Sequence, residues 1–63
     1  MKIQYLGESA SSSLTNEQVY EAYQLNDFCY AVTDDSETVR FYSIANPVPY
    51  GGKRGGTWKV IEA

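Results

Sequence analysis

The feature that most constrains this chain is its lack of any covalent or metal cross-link. Its 63 residues include one cysteine, Cys29, and no histidine, so no disulfide can form within the chain, and a zinc site would need a second cysteine or a cluster of carboxylates. A domain of this size rarely gains more than about 3–5 kcal/mol from its core without such help. We therefore expect a single domain over residues 1–63 that depends on hydrophobic packing, with homodimer formation as one way to enlarge the core.

The composition supports a folded, acidic protein. Hydrophobic residues make up 43% of the chain and aromatic residues 14%, well above the level of disordered segments. The net charge is −3, with only five Lys and Arg residues, which argues against general binding to duplex nucleic acid. An acidic surface keeps a protein soluble and steers it toward a basic partner.

Apolar and polar residues alternate in several short runs, as half-buried strands require. In the third run, Phe28, Tyr30 and Val32 share one face, and in the fourth we expect Val39 and Phe41 to point inward. Five strands are predicted in all, at residues 1–6, 19–25, 28–33, 38–42 and 57–61. The sequence thus predicts a mostly β fold, with the outline of a small five-stranded SH3-like barrel.

Residues 16–25 also fit a helix. Thr15-Asn16-Glu17-Gln18 has the form of a capping box, and Val19, Ala22 and Tyr23 follow at helical spacing. The alternative fold is therefore α+β, with this helix against an antiparallel sheet. A strand followed by a turn at Asn26-Asp27 accounts for more residues.

Two loops carry charged residues that invite a functional interpretation. Asp34, Asp35 and Glu37 cluster in a predicted hairpin turn, where Asp is also preferred for its own hydrogen bonding. Gly51–Gly56 is a basic, glycine-flanked tip that follows two prolines and precedes a strand rather than the helix that a P-loop needs. We interpret the first as a turn, and the second as either a mobile linker or a tip that contacts a partner.

Short motifs recur along the first two thirds of the chain, at residues 2–7, 14–16, 19–22, 30–36 and 41–42, and they include an Asp-Asp-Ser turn at residues 34–36. These segments resemble small uncharacterised SH3-like proteins of Gram-positive bacteria and their phages. In that family a tyrosine-containing strand leads to a hairpin with an Asp-Asp-Ser turn. The chain departs from the family at Asn16-Glu17-Gln18, where the family has Asn-Gly-Lys, and the tail from Pro47 to Gly56 has no counterpart. The resemblance implies a fold and a bacterial or phage setting.

The residue types needed for catalysis are scarce. Without histidine the commonest general base is missing, and Cys29 lies in an apolar run with no neighbouring cation to activate it. We expect no enzymatic activity, no cofactor and no metal.

Aromatic side chains suit protein binding better. Six tyrosines exceed what a core of this size can bury, and exposed Tyr and Trp anchor protein interfaces. We predict a non-enzymatic protein-binding module, specifically a phage-encoded inhibitor of a host defence protein. Its predicted contacts surround the glycine-rich tip: Tyr42, Tyr50, Lys53, Arg54 and Trp58.

The alternative function is single-stranded nucleic-acid binding. Bases would stack on Tyr or Trp rings beside Lys53, Arg54, Lys59 and Arg40. The acidic total makes this the second choice. The polar opening residues do not resemble a signal peptide and no run is long enough to span a membrane, so we expect the cytoplasm of a bacterial host cell.

Overall fold

The computed structural model describes residues 1–7, 13–45 and 56–63, and its regular structure there is β-strand. The strands pair antiparallel in one sheet of order β4-β3-β2-β1-β5. Their bounds are β1 Lys2–Leu6, β2 Val19–Gln24, β3 Cys29–Thr33, β4 Val39–Ser43 and β5 Thr57–Glu62. The mostly β prediction is confirmed, with each strand close to its expected position.

The helix considered for residues 16–25 is wrong. Glu17 has a φ of 69°, a left-handed conformation that a right-handed helix does not contain, and the Gln18 N–H closes a turn on the Thr15 carbonyl at 3.1 Å. β2 then pairs with both β1 and β3, so its backbone groups go to strand neighbours. No helix in the described ranges has the length and apolarity needed to cross a membrane.

The two faces of the sheet differ sharply in burial. Side chains alternate along each strand, and one set, here called the inner face, forms the core together with Leu14 from the loop before β2. The buried cluster consists of Ile3, Tyr5, Leu14, Tyr20, Ala22, Tyr30, Val32 and Tyr42. Neither of the two residues that β4 was expected to direct inward belongs to this cluster.

These two are Val39 and Phe41, and their predicted inward orientation is wrong, while Phe28, predicted to share a face with Tyr30 and Val32, lies outside β3 and is exposed. Phe41 is 69% exposed and Val39 57%, whereas Tyr42 is 1% exposed. Tyr42 pairs with the buried Tyr30 in the β3–β4 register, so Phe41 must point the other way. Phe28 precedes β3, in a turn where its N–H donates to the Asn26 side chain at 2.8 Å.

The edge strands β4 and β5 approach each other through a side chain. The Trp58 indole N–H donates to the Ser43 carbonyl at 3.1 Å, although β4 and β5 lie at opposite ends of the strand order. The indole ring also meets four tyrosine rings edge-on, with centroids 5.7 to 6.4 Å away. The sheet therefore curves around its inner face, with Trp58 spanning the gap between its two edges.

Candidate functional site

An apolar row crosses the outer face of β2, β3 and β4. Tyr23 pairs with Ala31, and Ala31 pairs with Phe41, so the three side chains lie side by side on one surface. Tyr23 is 75% exposed and Phe41 69%, with Ala31 buried between them, and Val39 lies two residues from Phe41 on the same face. We call Tyr23, Ala31, Val39 and Phe41 the outer apolar row.

Folding alone does not account for large apolar side chains at these positions. The inner positions of the same strands already supply the core, and the outer ones have no layer above them among the described residues. Contiguous exposed apolar surface on a soluble domain marks an interaction site more often than chance, whereas isolated exposed residues do not. The outer apolar row is therefore the strongest candidate site in the described part of the chain.

Acidic residues border this row. Glu21 lies on the outer face of β2, and its carboxylate is 4.0 Å from the Lys2 ammonium. Asp27 lies in the turn between β2 and β3, and Glu37 lies in the turn before β4, and both are exposed. Arg40 is directed to the inner side, where its Nε is 3.5 Å from Asp34. The surroundings of the row thus carry net negative charge.

The Asp34 carboxylate is an anchor of the β3–β4 turn. Its side chain is fully buried and accepts hydrogen bonds from the Ser36 N–H at 3.0 Å, from the Ser36 hydroxyl, and from the Tyr42 hydroxyl at 2.7 Å. These donors, with Arg40, satisfy a carboxylate that would otherwise be costly to bury. The interpretation of Asp34-Asp35-Ser36-Glu37 as a structural turn is confirmed.

Asp35 ties the same turn to the loop before β2. Its carboxylate accepts hydrogen bonds from the Thr15 hydroxyl at 2.7 Å and the Tyr20 hydroxyl at 2.8 Å. The Tyr20 oxygen in turn accepts the Thr15 N–H at 2.6 Å, and the Asp35 N–H donates to the Ser13 carbonyl at 2.9 Å. Both turn carboxylates are therefore engaged within the fold.

These contacts shift the ionisation of three groups. Burial opposes the charged form of Asp34, but hydrogen bonds from Ser36 and Tyr42 and the charge of Arg40 outweigh it and lower the pKa of Asp34. Burial, together with the hydrogen bond to Asp34, raises the pKa of Tyr42. Burial also raises the pKa of Tyr20, assisted by Asp35 and opposed by the Thr15 N–H. Both tyrosines stay neutral donors at physiological pH.

The structure places two of the five predicted contact residues on the inner side of the sheet. Tyr42 is buried in the core, and Trp58 is half-buried among four tyrosine rings. Tyr50, Lys53 and Arg54 lie outside the described residues, so contact through the glycine-rich tip stays a prediction. Tyr42 and Trp58 have structural contacts, and neither belongs to the outer apolar row.

Sequence reasoning missed the outer apolar row, although one signal pointed to it. Phe41 and Tyr42 are adjacent in a strand, so only one of the two can face the core. The tyrosine has the better inward partner, because its hydroxyl reaches the buried Asp34 carboxylate, and the phenylalanine is left outside. If one of two adjacent aromatic residues is assigned to the core and the other to the surface, Phe41 is predicted to be exposed.

Cys29 is partly exposed and its thiol contacts the Tyr30 carbonyl at 3.7 Å. Within residues 1–7, 13–45 and 56–63, no three Cys, Asp or Glu side chains are grouped as a metal site would require.

Comparison with known proteins finds no family model, no curated sequence and no solved structure that matches the chain.

Proposed function

We propose that this chain is a small non-enzymatic module that binds another protein through the outer apolar row. The observation that carries the proposal is the pair of aromatic side chains, Tyr23 and Phe41, that lie on one face in register with Ala31 and are mostly exposed. Burying one such side chain against a partner contributes about 1.5–3 kcal/mol. Two aromatic anchors on a rigid sheet therefore supply a large part of the energy of a specific contact.

The rigid support for this surface comes from the turn network behind it. β4 is held to β3 by five paired residues, and the β3–β4 turn is fixed by the Asp34 and Asp35 hydrogen bonds. Phe41 therefore has little backbone freedom to lose when a partner binds. Such preorganisation improves affinity by reducing the entropy cost of association.

We further propose that the module acts as an inhibitor that covers a surface of a bacterial host protein. A surface that can bind a target but carries no catalytic side chains inhibits that target by covering part of its surface. The resemblance to small proteins of Gram-positive bacteria and their phages supports a phage-encoded inhibitor in the host cytoplasm, directed at a defence protein. The net charge of −3 favours a basic region on that target.

An SH3-like barrel is the fold that we propose for the whole chain. Three observations support it: the strand order β4-β3-β2-β1-β5, the sharing of β2 between β1 and β3, and the Trp58–Ser43 hydrogen bond between the two edges. Each is what a five-stranded sheet needs in order to curl toward closure.

The test of the proposed function compares four immobilised baits in a Gram-positive bacterial lysate: wild type, Tyr23→Ser/Phe41→Ser, Val60→Ser, and Lys53→Ala/Arg54→Ala. We expect a protein retained by wild type and by the Val60 control to be lost from the Tyr23/Phe41 variant. Val60 is the matched control, because it is an exposed apolar residue outside the row. Retention by the Tyr23/Phe41 variant with loss from the Lys53/Arg54 variant would move the contact to the glycine-rich tip. Retention of the same proteins by all four baits would overturn both placements.

A further inference from the structure

β4 forms one edge of the sheet, and its hydrogen-bond pattern shows which backbone groups face outward. The Ile44 N–H donates to the Phe28 carbonyl at 2.9 Å, and the Asp34 N–H donates to the Thr38 carbonyl at 3.3 Å. In an antiparallel pair, hydrogen-bonded residues alternate with non-bonded ones. Even-numbered residues from Thr38 to Ile44 therefore bond to β3, and Val39 and Phe41 direct their N–H and C=O groups away from the sheet.

The two ends of this edge differ. At its C-terminal end the Ser43 carbonyl already accepts the Trp58 indole N–H. Val39 and Phe41 make no such contact to another part of the described chain. The open part of the edge is therefore the stretch Val39–Phe41, directly beside the outer apolar row.

The strand β4 itself lacks the features that normally protect an edge strand. Proteins block edges with proline, with bulges or with charged side chains, lysine above all. β4 contains neither proline nor lysine, its pairing with β3 runs without a register shift, and its one charged residue, Arg40, is turned toward Asp34. Among residues 1–7, 13–45 and 56–63, no strand pairs with the outer side of β4, so there the edge can accept an added strand.

We propose that the Val39–Phe41 edge binds an extended, basic segment of the partner protein as an added β-strand. This inference rests on the proposed function and specifies its binding mode. Backbone hydrogen bonds to Val39 and Phe41 would provide affinity, and every second side chain of the segment would lie beside Phe41 and extend the outer apolar row. The segment therefore alternates apolar residues with Lys or Arg.

Charge complementarity favours this occupant over a second copy of the chain. Glu37 lies two residues before β4, and the chain as a whole carries a charge of −3. Two copies would bring like net charges together, whereas a basic segment is attracted. A homodimer through this edge is thus an outcome that the test has to distinguish.

The probe is a short synthetic peptide in which valine alternates with lysine, and the measurement is amide hydrogen exchange of the full chain. In the free protein we expect rapid exchange at Val39 and Phe41 and slow exchange at Arg40 and Tyr42, whose N–H groups face β3. Added peptide should slow exchange at Val39 and Phe41 by about tenfold or more at saturation. Two control peptides are needed: one with glutamate in place of lysine, and one with the same composition but the valines contiguous.

Two variants separate backbone from side-chain effects. Val39→Pro removes the outward N–H without removing a bond to β3, a position at which an edge strand tolerates proline. Val39→Thr removes the same valine and keeps the N–H. We expect Val39→Pro to weaken peptide binding on the order of tenfold relative to Val39→Thr, with both variants showing wild-type circular dichroism.

The outcomes are distinct. The peptide could instead shift the NMR signals of the Tyr23 and Phe41 side chains without slowing amide exchange at Val39 and Phe41. That result would overturn strand addition and leave the proposed function standing. If both amides exchange slowly in the protein alone, and exchange slows further as the protein concentration rises, the edge binds a second copy of the chain. Absence of binding by the lysine peptide, or equal binding by the glutamate peptide, would refute the basic segment.

Discussion

Asp34 is a turn residue that has become part of the core. It directly follows β3 and its side chain is fully buried. The carboxylate accepts hydrogen bonds from Ser36 in the turn and from Tyr42 across the hairpin. Matched donors offset the cost of burying a carboxylate, and a buried carboxylate that loses a donor carries a large desolvation cost. The hairpin is therefore sensitive to any change at this residue or at its donors.

Tyr42→Phe tests this dependence with the removal of one oxygen atom. The hydroxyl donates to the Asp34 carboxylate at 2.7 Å, so its loss should lower the free energy of unfolding by about 1.5–3 kcal/mol. Tyr23→Phe is the matched control, because that ring is largely exposed and its change should stay within about 0.5 kcal/mol. Chemical denaturation measures both. Equal effects of the two substitutions would contradict the assigned role of Tyr42.

Asp34 also predicts how stability responds to acid. Its pKa is lower in the folded protein than in the unfolded chain, where aspartate has a pKa of about 3.9. Its contribution to stability is therefore present above that value and is lost as pH falls through the folded-state pKa. We expect the free energy of unfolding to decrease below about pH 4, and Asp34→Asn to show a shallower decrease from a lower starting value. An unchanged pH dependence in Asp34→Asn would contradict this account.

At the level of the strands, the sequence predicted where each strand lies along the chain better than it predicted which side chains face the core. β2, β3 and β5 followed from alternation and from turn residues such as Asn26 and Asp27. The orientation of β4 did not follow, because both phases of Val39-Arg40-Phe41-Tyr42 place an aromatic on the inner face. The deciding interaction was the hydrogen bond from Tyr42 to Asp34, which joins the strand to the preceding turn and is invisible to periodicity.

The junction between β1 and β5 depends on two glycines that meet at their backbones. A Cβ at Gly56 would lie 2.7 Å from Cε1 of the Tyr5 ring and would also collide with the Leu6 carbonyl, and a Cβ at Gly7 would lie 2.7 Å from the Tyr5 hydroxyl oxygen. The first contacts involve backbone and a buried ring, which have no room to yield. Close approach of two strand ends is a recurrent reason for glycine.

Gly56→Ala should therefore destabilise the fold. Gly56 has a φ of +24°, so alanine adds backbone strain to the steric overlap, and we expect a loss of about 1–3 kcal/mol. Thr57→Ala, at the exposed neighbouring position, is the control and should cost less than about 1 kcal/mol. Thermal unfolding followed by circular dichroism measures both. A Gly56→Ala protein as stable as wild type would show that the junction is not closely packed.

At the scale of the whole molecule, the chain directs aromatic residues to both sides of one sheet. Four tyrosines belong to the inner core and Trp58 packs against it, while Tyr23 and Phe41 remain on the outer surface. The sequence predicted that some aromatics must be exposed, but it assigned contact to Tyr42 and Trp58, which have partners inside the fold. That distinction required the strand register, since exposure of a tyrosine depends on which residue lies opposite it.

The central claim is that the outer apolar row contacts a partner protein, and site-specific photocrosslinking tests it most directly. A photoreactive phenylalanine analogue is placed at Tyr23 in one chain and at Tyr50 in another, and each is irradiated in a Gram-positive bacterial lysate. We predict a crosslinked protein from position 23 that is lost when Phe41→Ser is added. Crosslinks from position 50 alone, or a position-23 crosslink indifferent to Phe41→Ser, would contradict the claim.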